Sequence, residues 1–219
     1  MLPPPEGGPL PPKISPMILY PWLGAHLALG YLGYKAYDNN INGPADLLFE
    51  MLEAFAELAG VTFSREDFDE EFLTDEFYDL PHVKGFSRSR LAGFVSAGLS
   101  LAGTAATFLA PAIVFQSLTL GSTLTSAYVV SQALSAENWY KDSIDSTDPD
   151  YDTLEEVVES DTFFEDSRNY LLFGGLAAFA TDAVVLVMMF MGGPADAPAP
   201  EALPPTTEDE AATVELSLW

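Results

Sequence analysis

Apolar and acidic stretches alternate along this chain instead of mingling. The apolar runs cover roughly Ile18 to Tyr34, Leu91 to Leu109, Ile113 to Leu134 and Tyr170 to Met191, each near the ~20 residues that cross a bilayer as a helix. Backbone inside lipid must satisfy its own hydrogen bonds, which leaves helices or closed barrels. The pattern predicts an all-α fold, a multi-span membrane helical bundle of about four transmembrane helices with short amphipathic helices in an acidic loop and extended Pro-rich termini. Its segments are an extended Pro-rich arm over 1–16, a transmembrane helix over 17–37 and an acidic loop with amphipathic helices over 38–90. A small-residue transmembrane hairpin follows over 91–134, then a second acidic loop over 135–169, a transmembrane helix over 170–192 and a Pro-rich acidic tail over 193–219.

The first span carries Tyr20 and Trp22 near one end and Tyr31, Tyr34, Lys35 and Tyr37 near the other, matching aromatic belts and a snorkelling lysine. Pro21 is expected in its first turn, where a missing N–H does no harm. Only Lys13 precedes the run and no small-residue cleavage site follows it, so an uncleaved helix is expected and not a secretory signal. Beyond Asn42, Leu47, Leu48, Met51, Leu52, Phe55 and Leu58 share one helical face and Glu50, Glu53 and Glu57 the other, with Pro44 as a start and Gly60 as a stop. A helix lying on a membrane surface would carry Lys and Arg on its polar side, so this helix is expected to pack on protein. A second short helix is expected from Ser64, capped with Asp67, with Phe68, Phe72, Phe77 and Leu80 as its apolar stripe.

Gly93, Ser96, Ala97, Ser100 and Thr104 recur at helical spacing in the second run, giving a smooth face on which another helix can pack closely. Pro111 predicts a tight turn into the third run. That run holds Gln116, Ser117, Thr119, Ser122, Thr123, Thr125, Ser126 and Gln132, a polarity that suits a helix buried among neighbours.

Charge sharpens the picture. Lys+Arg number 8 against 33 Asp+Glu, a formal net charge of −25. Nucleic acid is excluded as a partner, because phosphate binding needs clustered cations, and the overall balance disfavours anionic headgroups. Molar salt shortens the Debye length to about 3 Å and screens such mutual repulsion, which points to a halophilic system. Lys35, Arg65, Lys84, Arg88, Arg90, Lys141 and Arg168 fall in the loops that four spans place on one side, leaving Lys13 on the other. The acidic loops are therefore expected on the cytoplasmic or interior side.

With no cysteine and 2 histidines, thiol chemistry and a His-based metal centre have little to draw on. No Gly-rich phosphate loop or Ser/His/Asp motif appears, so no enzyme activity and no cofactor are expected. Two groupings remain. His26 and Asp182 fall near the middle of the first and last spans and can form an intramembrane polar pair, as in a proton relay. In the structural reading, Asp182 instead bonds Ser and Thr of the neighbouring helices as packing glue. Asp148, Asp150, Asp152, Glu156 and Glu159 match the ligand spacing of an EF-hand loop, a candidate divalent-cation (metal) site, but Thr153 stands where the turn requires glycine. His82 reads as an exposed loop residue.

The expected function is structural, an integral membrane protein that ties a bilayer to surrounding protein chains of a larger assembly, in the cell membrane or the internal membrane of a virion, or as an accessory complex subunit. Its Pro-rich ends would lie extended on another chain, with Trp219 as the partner-binding anchor. The competing expectation is a small channel, holin-like pore or proton-coupled transporter using Asp182.

Overall fold

The computed structural model describes residues 14–142 and 162–190. Most of the 1–16 arm, the 193–219 tail with Trp219, and the run from Asp148 to Glu159 lie outside the described residues. Among those described, every regular element is helical: α1 (Pro16–Tyr37), a π-helical turn (Asp38–Asn42), α2 (Gly43–Leu58), α3 (Arg65–Phe72), α4 (Asp75–Asp79), α5 (Pro81–Leu109), α6 (Ala112–Lys141) and α7 (Thr162–Phe190).

Helix α1 starts at Pro16, with the Ser15 hydroxyl accepting from the Met17 N–H at 3.3 Å. Pro21 therefore lies inside the helix and not in its first turn. The expected break after Tyr37 does not occur: Asp38, Asn42 and Gly43 keep helical φ and ψ, and the chain winds on from Pro16 to Leu58. Pro44 has no N–H to offer the Asn40 carbonyl. Instead the Gly43 N–H reaches back to the Asp38 carbonyl, a π turn that carries the helix past the proline. At ~1.5 Å per residue the continuous rod is roughly 60–65 Å long.

Gly60 ends α2 at φ +71°. Val61 N–H bonds the Ala56 carbonyl at 2.8 Å and Gly60 N–H that of Glu57 at 3.0 Å, the crossed pattern that favours glycine at a helix end. Ser64 and Asp67 form a reciprocal capping box at the start of α3. The single second helix expected from Ser64 is two helices, because Leu73 leaves helical space and Thr74 caps α4. Phe68 and Phe72 consequently stack with each other and reach Phe49 through Phe68, while Phe77 and Leu80 pack on the main core. Arg65 ties α2 to α3, its Nη1 2.6 Å from Asp46 Oδ1 and its Nε 2.8 Å from Asp69 Oδ1.

The four long helices form an antiparallel ring. α1 packs on α5 and α7, and α6 packs on the same two from the opposite side. Three of them, over Pro81–Leu109, Ala112–Trp139 and Phe164–Phe190, are long and apolar enough to cross a membrane. α1 is long enough but not among them, since Tyr20, Pro21, Trp22, His26, Tyr31 and Tyr34 dilute its apolar character. The helices also outrun the apolar runs: α5 begins at Pro81, α6 reaches Lys141 and α7 begins at Thr162. Their extra turns are amphipathic, burying Val83, Phe86, Ala136, Trp139 and Phe164 together with Tyr37 and Ile41 in one cluster. A smaller cluster of Leu19, Trp22, Ala106, Phe115 and Val185 fills the other end.

Two expectations follow. A Cβ at Gly85 would overlap the Trp139 ring, whereas one at Gly98 meets nothing within 4 Å. Gly85→Ala is expected to lower stability by about 1–3 kcal/mol through overpacking, and Gly98→Ala to leave it equal or higher, as read by thermal melts in one detergent. The Ser64 hydroxyl and N–H hold the Asp67 carboxyl below its ordinary range. Since the folded value is the depressed one, the α3 cap is fully present above the ordinary carboxylate range and is lost as pH falls through that depressed value. Ser64→Ala should return Asp67 toward the ordinary range in an NMR titration.

Candidate functional site

A buried polar layer separates the two apolar clusters. Helical spacing puts Trp22 and His26 on one face of α1, and Ser122 and Ser126 on one face of α6. Asp182 of α7 meets both pairs. Its Oδ1 accepts from Trp22 Nε1 at 2.8 Å and from Ser122 Oγ at 2.8 Å, and stands 3.0 Å from His26 Nε2. Its Oδ2 lies 3.0 Å from Ser126 Oγ. The other ring nitrogen, His26 Nδ1, is 2.7 Å from Ser96 Oγ of α5. All four long helices thus contribute, and each of these side chains is 0% exposed.

Apolar groups seal the layer. The Trp22 indole meets the His26 ring edge-on at 5.4 Å and Phe115 at 5.7 Å. Gly103 makes room for it, because a Cβ there would come within 2.7 Å of the indole. The backbones of α1 and α5 approach closely, for a Cβ on Gly93 would lie 3.1 Å from the Leu29 carbonyl oxygen.

Each hydroxyl carries one proton. Ser122 Oγ is also 2.8 Å from the Thr119 carbonyl, and Ser126 Oγ 3.0 Å from that of Thr123. Each serine can therefore donate to the carboxylate or fall back on its own helix. The histidine has the same freedom: as a neutral ring it donates from Nε2 to Asp182 and accepts at Nδ1 from Ser96, and as an imidazolium it donates from both nitrogens. With the neutral ring no polar atom of the layer lacks a partner, which is the condition for keeping a carboxyl group at this depth.

The structure brings His26 and Asp182 together and adds the serine partners. Of the packing residues, Gly93 and Ala97 line the contact with Gly30, Ser96 joins the polar layer, Ser100 donates to the Ala97 carbonyl and Thr104 to that of Ser100. Trp22 needs correction: it is no interfacial belt residue but a fully buried donor. One signal was available, its i,i+4 spacing from His26. His82 likewise is no exposed loop residue, for it sits half-buried in the first turn of α5. Among the described residues no three His, Asp or Glu converge as metal ligands, and Asp148, Asp150, Asp152, Glu156 and Glu159 lie outside them.

Asp182→Asn keeps shape, and its amide oxygen can hold the three partners of Oδ1 while its NH2 faces Ser126, which falls back on the Thr123 carbonyl, so the bundle should persist with a modest loss. Asp182→Leu strands the Trp22 and His26 nitrogens, at about 1–3 kcal/mol for each unpaired group, while Ser122 and Ser126 retain helix carbonyls. Melting both variants in detergent measures the difference, and Ser126→Ala should cost less than Trp22→Phe.

Comparison with known family models, curated proteins and solved structures finds no match for this chain, so function must be read from the site and surfaces themselves.

Proposed function

We propose that the protein is a structural integral membrane component of a halophilic system, tying a bilayer to surrounding protein in a membrane-containing virion or as an accessory subunit of a membrane complex. In this reading α1 is the fourth crossing, its polar side chains turned to the buried layer or to the interfaces, and the acidic helices stand on the cytoplasmic or interior side. It is not an enzyme and uses no cofactor.

The observation that carries the reading is the uncovered face of α2. None of its residues is buried, and Leu47, Met51, Phe55 and Leu58 are 59%, 51%, 63% and 85% exposed. That row stands beside Glu50, Glu53 and Glu57 on a rod continuous with α1, held out from the bundle. An apolar row of this size on a projecting helix is a protein-docking surface, and its acidic flank disfavours anionic lipid. The enclosed layer fits the same reading, since it links four helices and leaves no polar group unpaired.

A transport reading draws on the His26–Asp182 pair alone. One experiment separates the two: the native chain and a Met51→Glu, Phe55→Glu variant are isolated from native membranes, and both are reconstituted in vesicles. The variant should remain in the membrane with native melting yet lose its assembly, and neither should conduct protons. A proton flux that Asp182→Asn abolishes would establish the transporter instead.

A further inference from the structure

On the outer side of the bundle, Leu27, Gly30, Tyr31 and Tyr34 of α1 and Phe94 and Ala97 of α5 line an open apolar groove of about 330 Å³. It exists because Gly30 and Gly93 let the two helices touch, so the larger side chains on either side stand as walls. Leu27, Tyr31 and Phe94 are 45%, 61% and 49% exposed. The groove has a polar end. One turn beyond the lining, Lys35 follows Tyr31 and Asp38 follows Tyr34 on α1, while Arg90 precedes Phe94 on α5, so the walls continue into two cations and one carboxylate.

Those cations are incompletely neutralised. Lys35 Nζ stands 3.8 Å from Asp38, a loose contact. The Arg90 guanidinium lies 3.8 Å from the Tyr37 ring centroid and has no carboxylate within salt-bridge distance among the described residues. In a chain with 33 Asp+Glu against 8 Lys+Arg, cations left over beside an apolar groove require a reason. A neighbouring apolar helix would fill the groove but bring no anion to its end. An amphiphile with a chain and a phosphate meets both needs, and the tyrosines mark the depth at which headgroups begin.

We propose that this groove is a binding site for an anionic glycerophospholipid, one acyl chain lying along Leu27, Tyr31 and Phe94 and the phosphate resting between Lys35 and Arg90. The site rests on the bilayer placement of α1 and α5. It is a local exception to a net charge that otherwise repels such lipids, and it turns the few cations of this chain into an anchor at one leaflet.

The test is native mass spectrometry of the full chain in a neutral detergent, with phosphatidylglycerol and phosphatidylcholine supplied at equal concentration. Phosphatidylglycerol should be retained about 5- to 30-fold over phosphatidylcholine, the range that one to two headgroup-level cations provide. Lys35→Gln with Arg90→Gln should bring the two lipids level, and Leu27→Trp, which fills the groove on an exposed wall, should displace phosphatidylglycerol with both cations intact. Should the double variant fail to fold, Lys35→Gln and Leu27→Trp alone decide. Equal retention of both lipids by the native chain, or native retention by Leu27→Trp, would overturn the site. A chain that stays monodisperse without detergent and retains neither lipid would overturn the bilayer placement itself, a distinct failure.

Discussion

A carboxyl group sealed among helices has to be matched by donors, and that demand organises this molecule. Asp182 is 0% exposed, and an unpaired charge at such depth is strongly destabilising. Its oxygens are met by side chains from α1 and α6, and through His26 they are linked to α5. Apolar packing alone gives little directional preference between lipid-facing helices, since lipid tails are as apolar as leucine. The polar layer supplies that preference, because sliding or rotating one helix by a residue would separate donors from the acceptor.

The layer also explains why α1 looks less like a membrane span than its neighbours. Trp22 and His26 lower its apolar character, yet both are buried. Its remaining polar residues stand toward its ends, Tyr20 at one and Tyr31, Tyr34 and Lys35 at the other. The same substitution of hydrogen-bonding for apolar residues appears in α6, where Ser122 and Ser126 each have a helix carbonyl in reserve. That reserve lets a polar face be built into a long helix at small expense in stability.

Much of this was legible beforehand, and the gaps have physical causes. The apolar runs located α5, α6 and α7, because length and hydropathy act independently of partners. The Ser64 cap and the Gly60 stop could be read because they are local. His26 and Asp182 were recognisable as a pair from depth alone. Trp22 is ambiguous in sequence because the same residue serves at interfaces and as a buried donor, and only tertiary context distinguishes these. Pro44 signalled a helix start, and a π turn that absorbs a proline leaves no separate mark in sequence. The helix extensions at Pro81, Lys141 and Thr162 were hidden by charge, since their buried residues are spaced among solvated ones.

The unbroken helix from Pro16 to Leu58 has a mechanical consequence. Parts of a chain joined by a flexible linker reorient relative to one another by default. Here the acidic head is fixed to the same rod that carries Trp22 and His26, and Ile41 wedges the π turn into the bundle core. A torque applied to the head by a neighbour is therefore delivered directly to the polar layer, and the pose of the head relative to the bundle is set by α1.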